Sequence, residues 1–154
     1  LKLTLIAVGR MKSGPERDLA DDYLARLRRH APQLGFREVT EIELPEGGGL
    51  EAEGERILAK LPAGAMTVRL DEHGEQVTST RLAERLAKWR DSGTPETVFL
   101  IGGAEGYAEA IRQAVPQSLA FGPQTWPHRL VRAMLAEQLY RAATILAGTP
   151  YHKA

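Results

Sequence analysis

The chain has 154 residues, 43% hydrophobic and 26% charged, which predicts a single soluble globular domain over 1–154 and excludes a disordered or collagen-like chain. It contains no cysteine, so disulfides, thiolate metal sites and cysteine nucleophiles are excluded, and a reducing cytoplasmic setting is expected. No apolar run approaches the ~18–20 residues of a membrane helix, and no basic stretch followed by an apolar core predicts a secretory signal.

In chain order, Lys2–Val8 reads as an apolar strand ending at Gly9. Ser13 followed by Glu16, with Pro15 in the first turn, predicts a capping box. The helix it opens carries Leu19, Ala20, Tyr23, Leu24 and Leu27 at helical spacing until Pro32 stops it. Val39, Ile42 and Leu44 mark a second strand. Pro45 and Gly47-Gly48-Gly49 mark a flexible loop. Leu50–Leu61 is helical in pattern, with Gly54 as its weak point. Met66, Val68 and Leu70 alternate as a third strand. Ser79 or Thr80 caps a helix presenting Leu82, Leu86 and Trp89 and ending near Gly93. Thr97–Ile101 is a continuous apolar strand, as expected where both faces of a sheet are covered. A short helix over Tyr107–Val115, a fifth strand over Ser118–Phe121 and a helix from Pro127 to about Ala147 complete the chain.

This alternation predicts an α/β fold with a mostly parallel sheet and helices on both faces. The last helix is apolar around most of its circumference, which requires burial on more than one side. Either a central position in a monomer or a partner subunit meets that requirement.

Charge is balanced, 20 basic against 20 acidic residues, but unevenly spread. Residues 38–55 hold seven glutamates and no Lys or Arg. Residues 126–154 hold Arg129, Arg132, Arg141 and Lys153 against Glu137 alone. Such a stretch is either a solvated face or a local phosphate-binding one. In an open parallel sheet, ligands bind beyond the carboxyl ends of the strands. Here those ends are Leu70-Asp71, Ile101-Gly102-Gly103 and Phe121-Gly122-Pro123. No dinucleotide fingerprint and no phosphate loop is present, so nucleotide hydrolysis and conventional dinucleotide binding lack their motifs. His30, His73, His128 and His152 form no His-x-x-x-His pair, and no metal site is expected. By composition alone, His128 is an exposed first-turn residue and the Tyr151-His152-Lys153 tail a loose terminus.

Specific strings add to this reading. Val98-Phe99-Leu100-Ile101-Gly102-Gly103-Ala104-Glu105-Gly106 resembles the cofactor segment of the SPOUT class of methyltransferases. Thr125-Trp126-Pro127-His128, Leu130-Val131-Arg132, Glu137-Gln138-Leu139-Tyr140-Arg141-Ala142 and Pro150-Tyr151-His152-Lys153 resemble one family within it. That family is the ribosomal RNA large subunit methyltransferase H family, the pseudouridine N3-methyltransferases. The opening Lys2–Gly9 and Glu55–Leu58 fit it too, so the resemblance spans the chain.

The resemblance implies a C-terminal trefoil knot, a homodimer and S-adenosylmethionine as methyl donor. It also implies a pseudouridine of large-subunit ribosomal RNA, presented by the ribosome, as acceptor. Carried over residue by residue, the cofactor contacts fall on Leu70, Gly102, Phe121, Gly122, Pro123, Gln124, Thr125 and Trp126. Leu70 and Trp126 would pack on adenine, and Gly102 would leave room for the ligand. Arg141, Tyr151 and His152 match the acceptor-side positions: Arg141 for a phosphate or base oxygen, Tyr151 against the base, His152 for orientation or proton removal. The family commonly ends in an acidic residue after the basic one, whereas this chain ends Lys153-Ala154. Two other readings fit the same chain: a SPOUT methyltransferase acting on another RNA such as transfer RNA, and a non-catalytic ribosome-binding factor.

Overall fold

The protein is described from a computed structural model covering residues 1–153. The strands are β1 (Lys2–Val8), β2 (Glu38–Leu44), β3 (Met66–Gln76), β4 (Glu96–Ile101) and β5 (Ser118–Ala120). They alternate with α1 (Pro15–His30), α2 (Leu50–Lys60), α3 (Ser79–Asp91), α4 (Glu109–Ala114) and α5 (His128–Ala147). The strands form one parallel sheet in the order β2-β1-β4-β3-β5.

Side chains of a strand alternate between faces, and here both faces are apolar. Leu3 and Leu5 of β1, with Phe99 and Ile101 of β4, pack with Leu24, Leu86, Leu135 and Leu139 from α1, α3 and α5. Ile6, Val8, Val98 and Leu100 point the other way, into a second cluster with Ile57 of α2 and Ile111 of α4. The continuous apolar runs of β1 and β4 follow from this double coverage. Among the described residues no helix is long and apolar enough to cross a membrane.

Several local expectations change. The N-cap of α1 is Gly14 (φ 110°) rather than Ser13, and no side chain caps it. Ser13 instead offers its carbonyl to Arg129, 2.8 Å away, and Glu16 lies 3.8 Å from the same guanidinium. Thr78, not Ser79 or Thr80, caps α3: its hydroxyl accepts the Arg81 amide at 3.1 Å, while Ser79 bonds Gln138 at 2.6 Å. α1 ends at His30, and Pro32 lies in a following 3-10 turn, Ala31–Leu34. Gly54 is buried within α2, and a methyl group there would stand in ordinary contact, 3.4 Å from the Ala108 methyl and 3.5 Å from Ile111. The triglycine loop is tied down: the Gly47 amide donates to Glu53 at 2.8 Å, and Arg56 donates to the Pro45 carbonyl at 3.1 Å and to the Gly47 carbonyl.

The charge distribution changes meaning as well. Arg132 of α5 is only 1% exposed. It donates to Glu41 at 3.3 Å, to Glu43, and to the Gly9 carbonyl at 3.0 Å. Arg17 reaches the same two glutamates at 2.7 and 3.5 Å, and Glu43 also accepts the Met11 amide at 2.8 Å. Arg129 and Arg141 are paired too, the latter with Glu137 at 2.7 Å. Arg129, Arg132 and Arg141 therefore each have an acidic partner within the fold, and part of the glutamate run faces Arg132.

Burial pushes the Glu43 carboxyl up, but the Met11 amide with Arg132 and Arg17 outweighs it and holds the carboxyl below its usual value of 4.5. A carboxylate whose folded pKa is depressed stabilises the fold at neutral pH and loses that contribution as pH falls. Arg132→Ala is expected to cost about 3 kcal/mol in urea unfolding at pH 7, because it empties a buried site and takes one cation from the half-buried Glu41 and Glu43. The deficit relative to wild type should shrink below pH 4.5 as Glu43 protonates.

Candidate active site

Three parallel strand ends converge on one concave surface. The segments Leu70–His73 after β3's paired stretch, Ile101–Tyr107 after β4 and Leu119–Phe121 at β5 line a cavity of about 310 Å³. Gln124, Thr125, Trp126, His128 and Val131 close it from the side of α5. A volume near 300 Å³ suits a small organic ligand.

Each wall has a local cause. β3 pairs with β5 in two stretches, with a register shift between Leu70 and Glu75 that pushes Asp71–Gly74 out of the ladder and into the rim. Gly74 permits this: a methyl group there would meet the Leu119 backbone at 2.8 Å. The Asp71 carboxylate accepts the His73 amide at 3.0 Å and lies 3.3 Å from Arg69 and 3.5 Å from Arg112. Burial pushes this carboxyl up, and those three donors outweigh it, so it stays ionised below the usual carboxylate range. On the opposite side, Gly103 and Gly106 form a small antiparallel bridge, with the Gly106 amide donating to Gly103 at 3.1 Å. Trp126, 38% exposed, donates its indole N–H to the Phe121 carbonyl at 2.8 Å, and Thr125 donates to Glu72.

Of the residues expected at a cofactor site, Leu70, Gly102, Phe121, Gln124, Thr125 and Trp126 all line this cavity. Gly122 and Pro123 do not; they form the turn that returns the chain, Gly122 with φ 86°. Gly102 differs from expectation in its cause. The space a Cβ would fill is occupied by the Gly106 carbonyl and the Tyr107 ring, each 3.1 Å away. The missing side chain makes room for the protein's own tyrosine. His128 is half-buried and lines the cavity, unlike the exposed first-turn residue its sequence position suggested.

Arg141, Tyr151 and His152 also come together, around Glu137. Arg141 donates to both Glu137 oxygens, at 3.2 and 2.7 Å, and the Tyr151 hydroxyl donates to Glu137 at 2.8 Å. The Arg141 guanidinium lies 4.8 Å from the Tyr151 ring centre, and Tyr140 meets the same ring edge-on at 4.8 Å. Burial first, then the bonds with Tyr23 and Glu137, raise the Tyr151 hydroxyl well above its usual pKa, so it is a hydrogen-bond donor rather than a base. Arg141 stands 3.2 Å from His152 Nδ1. A guanidinium only donates, so Nδ1 accepts and a neutral imidazole carries its proton on Nε2. The tail is thus anchored rather than loose. None of Arg141, Tyr151 and His152 lines the cavity. Sequence reasoning missed Glu137 as the hub and Asp71 as the rim anchor. Glu137 sits four residues before Arg141, the spacing of a helical ion pair.

The profile described as "Predicted SPOUT methyltransferase" matches residues 1–152. The chain belongs to the SPOUT methyltransferase family. It is 64% identical over 154 residues to the ribosomal RNA large subunit methyltransferase H of Hyphomonas neptunium, covering all of both chains. It is 51% identical to the protein of that name from Cereibacter sphaeroides strain ATCC 17025, covering 99% of each. The one from Bradyrhizobium diazoefficiens is 48% identical, with 100% of each covered. Two solved structures were matched at lower similarity. One is the SpoU methyltransferase AviRb of Streptomyces viridochromogenes in complex with AdoMet, at 15% identity and TM-score 0.42. The other is the putative methyltransferase Lpg2936 of Legionella pneumophila with bound SAM, at 11% identity and TM-score 0.48. The matches cover 92% and 94% of this chain but 59% and 66% of those. Among the described residues of this SPOUT family member, no group of three or more metal-binding side chains occurs.

Gly102→Ala tests the packing of the cavity floor. Its Cβ meets backbone and a buried ring, so the variant should lose about 1–3 kcal/mol in denaturant unfolding. Gly122→Ala, open in space but at positive φ, should lose about 1–2 kcal/mol.

Proposed function

We propose that this protein transfers the methyl group of S-adenosylmethionine to N3 of a pseudouridine in large-subunit ribosomal RNA. The observation that carries the reading is the cavity at the three strand ends, lined by most of the residues expected to contact the donor. Full-length identity of 64% to a protein named ribosomal RNA large subunit methyltransferase H supports the acceptor class.

The residues present fit the donor. It combines an adenine, a ribose and a charged amino-acid tail. Leu70, Ile101 and Trp126 offer apolar surface to the ring. Backbone groups of the 121–126 turn supply polar partners for the base edge and ribose. Arg112 and the acidic Asp71, Glu72 and Glu105 at the rim match the mixed charge of the tail. The sulfonium supplies an activated methyl group, so the protein's task is mainly alignment of the acceptor nitrogen.

The acceptor side is the Glu137 cluster. Glu137 holds Arg141 in place, leaving part of its guanidinium for a base oxygen or phosphate, and Tyr151 offers an aromatic face. His152 can take the N3 proton only on Nδ1, which first has to leave Arg141. Because these side chains do not line the cavity of their own chain, the reading includes a homodimer that presents the cluster of one copy to the donor of the other. The apolar circumference of α5, with Leu130, Val131 and Met134 half-buried, supports that pairing. One domain over 1–154, a C-terminal trefoil knot, and action on ribosomes in the cytoplasm belong to the same proposal.

Ribosomes incubated with the protein and isotopically labelled S-adenosylmethionine are expected to carry one labelled methyl on a large-subunit pseudouridine, read by mass spectrometry of nuclease digests. Label on transfer RNA instead, or donor binding with no label on ribosomal RNA, would contradict the assignment. His152→Ala should lower kcat by about 10²-fold, the range of one acid–base group, with donor affinity unchanged.

A further inference from the structure

Tyr107 lies on the loop before α4, is 7% exposed and lines the cavity. Its hydroxyl accepts the Gly102 amide at 2.9 Å. It shares its single proton between the Leu70 carbonyl at 2.8 Å and the Leu100 carbonyl at 3.0 Å. Leu70 and Ile101 are register partners on adjacent strands. One phenol therefore ties the end of β3 to the end of β4 across the cavity floor. Burial raises its pKa, so it stays protonated and keeps this donor role throughout the neutral range.

We infer that Tyr107 is a positioning residue for the methyl donor: it braces Leu70 and Gly102 and fixes which of their polar groups a ligand can use. This rests on the reading of the cavity as the donor site. An amide N–H has one proton, and Tyr107 takes that of Gly102, so Gly102 offers a ligand no donor, only its carbonyl and van der Waals contact. The Tyr107 ring also fills the space beside Gly102 Cα, with Cε1 and Cζ each 3.1 Å from where a Cβ would stand. The height of the floor and the gap between the two strand ends are thus set before any ligand arrives. A site held in its bound shape spends no affinity on ordering.

Tyr107→Phe keeps the ring and removes the brace, leaving the Gly102 amide buried without a partner. In calorimetric titration, the Kd of this variant for both S-adenosylmethionine and S-adenosylhomocysteine should rise about tenfold, the effect of one buried hydrogen bond. With ribosomes as substrate, the KM for the donor should rise about in step with its Kd, while the KM for ribosomes stays within about twofold of wild type, because the acceptor cluster is untouched. A lowered Tm with unchanged Kd for both ligands would mean a structural role only and overturns the inference. If wild type itself binds neither ligand, the donor-site reading falls and this inference with it. Should the variant not fold, hydrogen exchange of the wild-type Gly102 amide decides. Slow exchange in the ligand-free protein is expected, and exchange as fast as that of an exposed loop overturns the brace.

Discussion

The fold turns on a guanidinium that has nowhere to go but inward. Arg132 sits in the first half of α5, contacts Glu41 and Glu43 of β2, and caps the end of β1 through the Gly9 carbonyl. Breaking such a pair leaves buried charge uncompensated, which is far costlier than the pair is favourable. The network thereby fixes how α5 sits on the sheet. Because the 121–128 turn leads directly into α5, the same contact fixes where Trp126 and His128 meet the strand ends. Arg17 completes the network from α1, joining the two helices that flank β1.

The cavity proposed to hold the donor follows from double coverage of the sheet. With both faces of β1 and β4 buried under helices, polar backbone is accessible chiefly where the strands end. The register shift in β3 and the glycines after β4 widen that edge into a cavity, and Tyr107 holds its floor. The cluster proposed to meet the acceptor has a different logic. It is built on α5 and the chain's last turns, where Glu137 organises a cation, a phenol and an imidazole at one place on the helix.

Much of this was legible in the sequence because it rests on periodicity. The buried runs of β1 and β4 and the helical spacing of α1, α3 and α5 gave the α/β order, and the strand-end glycines pointed to the cavity. What was not legible depends on contacts between distant segments. The capping box at Ser13 and Glu16 looked complete locally, but Arg129, more than a hundred residues away, engages both residues. Within the glutamate run, Glu41 and Glu43 find their partners in Arg17 and Arg132, on segments far away in the chain. Gly102 was assigned to the ligand, yet the space it vacates belongs to Tyr107. The choice of Arg141, Tyr151 and His152 came from resemblance, and the fold links Arg141 and Tyr151 through Glu137, with His152 held against Arg141.

The claim on which the account rests is that the cavity at the ends of β3, β4 and β5 holds the methyl donor. The direct measurement is an NMR titration of ¹⁵N-labelled protein with S-adenosylhomocysteine. The account predicts chemical-shift changes concentrated at Leu70–His73, Gly102–Tyr107 and Phe121–Trp126, with the Trp126 indole N–H among the largest. Shifts centred elsewhere, for example on the groove formed by Arg81, Arg85, Lys88 and Trp89, would contradict it.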